Sequence, residues 1–278
     1  MKTRIISAGI GLVLFSVILL FRDTIALEIS ISIVNVIALW EILFVTRYVS
    51  FKPLLILGGL YSFIMPFLYS FNFNSLTSRL VYVHIFTTHL VYVLALFTLT
   101  LLNSKSITPN QLSITFTMSV LLTIGFSSLI LLLHHGDNHG MLYFLLSCNC
   151  AWVTDAGAYF IGSFFGKHKL APAISPKKTI EGAVGGIVCS FIVSIIICLI
   201  YQRIADSSIS IATVLIITPI FSIAGMLGDL MASYIKRNCN IKDYGNILPG
   251  HGGVLDRFDS LLITAPLFYA FIQIFKII

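Results

Sequence analysis

"IEGAVGGIVCSFIVSIIICLIY", residues 180–201, carries one charge, Glu181, at its second position and none in the twenty residues that follow. A helix needs about 20 apolar residues to cross the hydrocarbon core of a bilayer. In lipid, backbone amides and carbonyls must pair within their own segment, so such a run is a helix. The rest of the chain has the same character. Of its 278 residues, 58% are hydrophobic and 10% are charged, where a soluble domain has about 25% charged residues; the mean hydropathy is +0.99. An all-α polytopic integral membrane protein is expected. Nine transmembrane helices are read, at about 5–21, 25–46, 53–71, 80–102, 111–133, 140–165, 180–201, 209–233 and 259–277. They form a single transmembrane helical domain, 1–278. Within it, 1–133 holds N-terminal helices of weak motif content, and 134–278 holds the catalytic helices and cytoplasmic loops. The first run follows Lys2 and Arg4 as in a signal peptide, but no small-x-small cleavage site precedes the next run, so it is expected to stay as a helix.

Orientation follows from the bases. With the N-terminus inside, thirteen of the seventeen Lys and Arg fall on inner segments, and only Arg22, Arg79, Arg203 and Lys276 fall outside. The positive-inside rule therefore places the C-terminus outside. The net charge of +6 is scattered through short loops and forms no patch for nucleic acid. Pro53, Pro109 and Pro176 punctuate loops or helix starts, whereas Pro66, Pro219 and Pro266 fall inside helices. The five cysteines read as structural thiols, Cys148-x-Cys150 included, because no second pair accompanies it.

Two inner loops differ from the rest: "GKHKLAPAISPKKT", residues 166–179, and "YIKRNCNIKDYGNILPGHGGVLDRF", residues 234–258. Each carries four bases. Acids gather at the same depth: Asp155 and Asp229 near the inner ends of their helices, Glu181 and Asp259 at the inner starts of theirs, and Asp256 beside them. Charge inside a membrane is costly and points to function. Aspartates hold Mg²⁺ and bridge it to phosphates, bases neutralise phosphate oxygens, and glycines let backbone amides approach a polyphosphate. Asp256 and Asp259, three apart at a helix start, can face one site. The plainer readings are that an intramembrane Asp makes a polar helix contact and that Lys177 and Lys178 set topology or meet headgroups. Gly182, Gly185 and Gly186 suit close helix packing. "HHGDNHG", residues 134–140, falls outside as an exposed polar turn. Glu41, after Trp40 near the inner end of the second helix, is expected to stay out of the site.

At these residues the chain resembles the phosphatidate cytidylyltransferases, or CDP-diacylglycerol synthases. Their signature runs S-x-x-K-R, four residues, K-D-x-G, then P-G-H-G-G-x-x-D-R-x-D. Ser233, Lys236, Arg237, Lys242, Asp243, Gly245, Pro249, Gly250, His251, Gly252, Gly253, Asp256, Arg257 and Asp259 match it. The stretch Asp155 to Gly186 resembles the D-[TS]-x-A-Y-x-x-G and S-P-K-K-T-x-E-G segments of the family, with Ala156 in place of the usual hydroxyl. "GDLMASYIKR" from Gly228 resembles the lead-in. The N-terminal half is similar mainly in being helical, with "RIISAGI" and "ALWE" as local likenesses.

The resemblance implies a reaction in which CTP and phosphatidate give CDP-diacylglycerol and pyrophosphate. It implies that Asp229, Asp256 and Asp259 hold one or two Mg²⁺, and it admits a monovalent cation besides. Lys236 and Arg237 would bind phosphates of either substrate. Ser175, Lys177, Lys178 and Thr179 would bind nucleotide phosphates, with Lys242 and Arg257 as further substrate contacts. Asp155 and Glu181 would support metal or nucleotide, and His251 would position pyrophosphate. The implied setting is a bacterial-type inner membrane, with the active site facing the cytoplasm and phosphatidate entering from the inner leaflet; a homodimer is compatible. The alternatives are a CTP-dependent polyprenol or lipid kinase, a cytidylyltransferase for another lipid, and an ion-coupled transporter. A transporter tends to show repeated halves and a midplane site, and this chain has no visible repeat.

Overall fold

The computed structural model describes residues 2–70, 75–135, 139–275 and 277. The chain is mostly helical, and each of the nine segments read from the sequence holds a helix among these residues. In order they are α1 (Lys2–Leu20), α2 (Ala26–Trp40), α3 (Lys52–Ser70), α4 (Ser75–Leu102), α5 (Pro109–Leu133), α6 (Gly140–Cys148) and α7 (Thr154–Phe165). After them come α8 (Ile180–Ala205), α9 (Ile211–Asn238), the short α10 (Leu255–Phe258) and α11 (Leu261–Ile274). Wide π turns continue α2 through Glu41–Val45 and join α6 to α7 through Asn149–Val153. Six stretches are long and apolar enough to cross a membrane: Ala26–Val45, Lys52–Ser70, Val81–Leu102, Pro109–Leu133, Ile180–Ala205 and Ile211–Asn238. The protein is therefore an integral membrane protein. Pro66, Pro219 and Pro266 lie inside α3, α9 and α11.

The helices are inverted relative to a soluble protein. On α8, Gly182, Gly186, Ser190, Ser194 and Cys198 recur every four residues and are buried. Val184, Val188, Ile192, Ile196 and Ile200 recur at the same spacing and are exposed. Residues four apart share a helix face, so small and polar side chains face the protein and branched apolar ones face outward. Outward apolar faces lose nothing in lipid, and small residues let helices approach closely.

Three sequence readings change. The 166–179 segment is not plain loop: β1 (Lys169–Ala171) pairs antiparallel with β2 (Ser175–Thr179), Lys169 opposite Thr179 and Ala171 opposite Ser175. This short ladder pairs the two strands with each other, within a fold that remains mostly helical. The loop expected from Tyr234 begins later, because α9 runs on to Asn238 and makes Lys236 and Arg237 its last turn. Cations are favoured there by the helix dipole. Asp259 does not open the last helix; it lies in the turn between α10 and α11, with its Oδ1 accepting the Ser260 amide at 2.8 Å.

The chain forms two compact units. One comprises residues 1–131 with 239–257. In it, buried Asn35 of α2 donates to the Ser62 carbonyl of α3 (2.8 Å) and to Thr123 Oγ1 of α5 (3.0 Å). Tyr61 and Tyr92 stack with centroids 4.1 Å apart, and Tyr92 hydrogen-bonds Ser119 at 2.7 Å. The other unit comprises residues 132–238 with 258–278. Its core is held by hydroxyl and amide contacts: Asn149 to Ser190 O (2.9 Å) and Ser194 Oγ (2.8 Å), Ser194 to Thr218 (3.0 Å), and Thr154 to Ser222 (2.9 Å). There α7 and α8 touch through glycine, as expected. A Cβ on Gly186 would sit 2.4 Å from the Thr154 carbonyl, and one on Gly182 would sit 2.7 Å from that of Ala158.

Candidate active site

The second unit brings three carboxylates and two lysines into one electrostatic neighbourhood. Asp155 sits in the first turn of α7, directly after the π turn. Asp229 sits on α9 after Gly228, where a Cβ would lie 2.8 Å from the Asp259 carbonyl. That glycine lets the helix approach the turn that carries Asp259. Lys236 is seven residues beyond Asp229, two helical turns along the same face, and is 8% exposed. Asp259 is half-buried; it is repelled by Asp229 and Asp155 and attracted by Lys236. Lys178 of β2 forms an ion pair with Asp229, and both side chains are largely shielded from solvent. A cavity of about 490 Å³ opens here, lined among others by Asp155, Tyr159, Lys169, Lys177, Lys178, Thr179 and Asp229. That size is in the range of small-molecule sites.

The other expected residues of this unit play visible structural parts. Thr179 caps α8, its Oγ1 accepting the Gly182 amide at 3.1 Å. Ser175 starts β2 opposite Ala171. Arg237 Nε donates to the Ile174 carbonyl at 3.4 Å, which ties the end of α9 to the hairpin turn. Glu181 is not among the residues that line the cavity. It accepts the amides of Lys167 (3.1 Å) and His168 (3.2 Å) and pairs with His168 Nδ1 at 2.5 Å, fastening the entry to the hairpin. Lys169 was missed as a lining residue, although the count of four bases in this loop already included it.

Residues 239–257, which carry Lys242, Asp243, His251, Asp256 and Arg257, belong to the first unit. The loop folds back on itself: the Leu248 amide donates to the Gly252 carbonyl (3.0 Å) and the His251 amide to the Leu248 carbonyl (2.9 Å). Gly250 and Gly252 adopt φ of 77° and 85°, a region closed to most residues with a Cβ. Asp256 Oδ2 accepts the amides of Tyr244 (2.8 Å) and Gly253 (3.0 Å). The two oxygens of Glu41 accept the amides of Val254 (2.9 Å) and Leu255 (2.8 Å), and Glu41 is 0% exposed. Glu41, expected to stay out of the site, thus binds the backbone of the signature loop. The signal was available: a Glu in an apolar helix needs donors, and Glu41 was read at the depth of the signature. Of the signature glycines, Gly253 gives its amide to Asp256, and the next two amides, of Val254 and Leu255, go to Glu41.

Among the described residues, no three His, Cys, Asp or Glu side chains are gathered closely enough to hold a metal by themselves. Gly136, Asp137 and Asn138 of the 134–140 segment lie outside the described residues. His135 Nδ1 is 3.2 Å from Gln273 Nε2, and burial pushes this imidazole below its usual range. His139 Nδ1 is 3.0 Å from the Tyr201 hydroxyl. The five cysteines are free thiols.

The model of the cytidylyltransferase family matches residues 2–275. A phosphatidate cytidylyltransferase of Bacillus subtilis is 35% identical over 278 residues, 99% of each chain. One of Staphylococcus aureus is 34% identical over 275 residues, 96% of this chain and 97% of its own. One of Staphylococcus haemolyticus is 50% identical over 128 residues, 46% of this chain and 48% of its own.

The Lys178–Asp229 pair has a testable energetic signature. Removing one partner leaves the other charge unanswered next to apolar walls, at a cost of about 1–3 kcal/mol. Lys178→Ala should lower the thermal midpoint in detergent, and the double variant Lys178→Ala with Asp229→Asn should recover part of the loss. Additive losses would show that the two side chains do not interact.

Proposed function

Because this chain belongs to the cytidylyltransferase family, we propose that it transfers CMP from CTP to phosphatidate, giving CDP-diacylglycerol and pyrophosphate. The observation that carries this reading is the cavity lined by Lys177, Lys178, Asp155 and Asp229 together, in a protein whose outward helix faces are apolar. A phosphate oxygen of phosphatidate attacks the α-phosphorus of CTP. The bond from that phosphorus to the β-bridging oxygen breaks, and pyrophosphate leaves. No side-chain nucleophile is needed, since a phosphate monoester is largely deprotonated at neutral pH, its second pKa being about 6. The barrier lies in bringing two polyanions together, so positioning and charge stabilisation do the catalysis.

The chain's own residues divide that task. Lys178 is held on Asp229 until phosphate arrives, which keeps an ammonium aimed at the cavity without leaving it unanswered. Lys177, Lys236 and Arg237 add positive charge for the phosphates, with Lys242 and Arg257 contributing from the signature loop. Asp229 and Asp259 would hold Mg²⁺, and the donor chemistry fits it. Both are hard oxygen ligands, and Mg²⁺ commonly uses one or two carboxylates, keeping its other positions for water and phosphate. The ion would supply Lewis-acid neutralisation of the phosphate oxygens. Asp256 is the third carboxylate of the signature; its Oδ2 holds the glycine loop in shape. CTP is a cytosolic solute, so the reading places the basic loops on the cytoplasmic side and takes phosphatidate from the inner leaflet, in keeping with the distribution of bases.

Purified protein should release pyrophosphate only when CTP and phosphatidate are both present. EDTA should stop the release and Mg²⁺ should restore it. Asp259→Asn should lower turnover about 100-fold or more with helix content unchanged. Release of CDP without pyrophosphate would replace the transfer reading with lipid phosphorylation, and full activity of the variant would remove Asp259 from the catalytic set.

Orientation has its own test. In a cysteine-free background, Ser175→Cys should react with an impermeant thiol reagent only from the cytoplasmic side. Reaction only from the opposite side would overturn the orientation, and with it the access of CTP.

A further inference from the structure

We propose that Glu41 is a positioning residue for the transfer reaction, one that sets the conformation of the glycine loop and thereby the placement of Asp256 and His251. The inference rests on the cytidylyl-transfer reading, but its geometry stands by itself. Glu41 begins the π turn that ends the second helix, and π turns of this kind recur at functional sites. Two backbone amides converge on its carboxylate, one to each oxygen, and no part of it reaches solvent. An ionised carboxylate is acceptor-only, and its hydrogen bonds are roughly twice as strong as neutral ones. The two amides flank the start of the short helix that carries Asp256.

The packing around this carboxylate accounts for two glycines of the signature. A Cβ on Gly253 would come within 2.6 Å of both Glu41 oxygens, and one on Gly245 within 2.7 Å of Oε1. Neither glycine has a positive φ, so backbone conformation does not require them. Both are needed for room. Gly253 is also the residue whose amide holds Asp256 Oδ2. Two carboxylates therefore grip consecutive amides of one turn: Asp256 takes residue 253, and Glu41 takes residues 254 and 255. A displaced Glu41 would let this turn relax, and Asp256 and His251 would move with it. Lys178 and Asp229 line a cavity within the other unit, so substrate capture there is expected to survive the loss of Glu41.

The test is Glu41→Gln, which keeps the shape but turns an NH₂ donor against a backbone amide. With wild-type protein shown to place CMP on lipid, the variant should lose about 10- to 100-fold in kcat, and the KM for CTP should stay within about threefold. Hydrogen exchange in the peptide covering residues 250–257 should quicken in the variant, whatever its activity. Gly253→Ala should reproduce the kcat loss from the other side, and adding Glu41→Asp, which is one methylene shorter, should restore part of it. That rescue decides the matter if Glu41→Gln does not fold. Wild-type kcat in Glu41→Gln, or no rescue of Gly253→Ala by Glu41→Asp, would overturn the positioning role. An inactive wild type would instead count against cytidylyl transfer, and the exchange measurement would still report on the clamp.

Discussion

A charge removed from water must be answered by an opposite charge or by hydrogen-bond donors, and much of this molecule's polar architecture follows from that constraint. Lys178 answers Asp229. The amides of Val254 and Leu255 answer Glu41, and those of Tyr244 and Gly253 answer Asp256. At a solvent-exposed position, His168 and two backbone amides hold Glu181. Each of these contacts fixes a segment outside the long helices: the hairpin, the entry to the hairpin, and the glycine loop. The helices behind them are kept close by small residues and hydroxyl contacts, with branched apolar side chains turned outward.

The same arrangement suits chemistry between anions. Asp259 is repelled by Asp229 and Asp155 and attracted by Lys236, while Asp229 is also paired with Lys178. The lysines of the hairpin supply the reverse, positive charge held in readiness for phosphate. Structure and proposed chemistry thus draw on one set of charges, so neutralising substitutions should affect both stability and turnover.

Much of this was legible in the sequence, and the reasons differ by residue. The long helices were readable because length and hydropathy leave a lipid-facing segment no other structure. The grouping of Asp155, Asp229, Lys177 and Lys178 was readable because charge is rare enough in this chain for each to stand out. The hairpin was not readable, because "LAPAIS" between two basic stretches has no alternating pattern to announce paired strands. Glu41 was discounted because its partners are backbone amides more than two hundred residues away, which no side-chain motif records. The glycines of the signature were read as making way for phosphate; Gly245 and Gly253 also make room for the Glu41 carboxylate. Burial and hydrogen bonding, rather than residue type, separate those two explanations.

The central claim is that the nucleotide moiety itself ends on the lipid. CTP labelled in the cytosine ring, incubated with the purified protein, Mg²⁺ and phosphatidate, followed by chromatography of the extracted lipid, measures this directly. The account predicts label in a lipid that retains its own phosphate and has gained CMP. Label that stays wholly in the aqueous phase as CDP would contradict it.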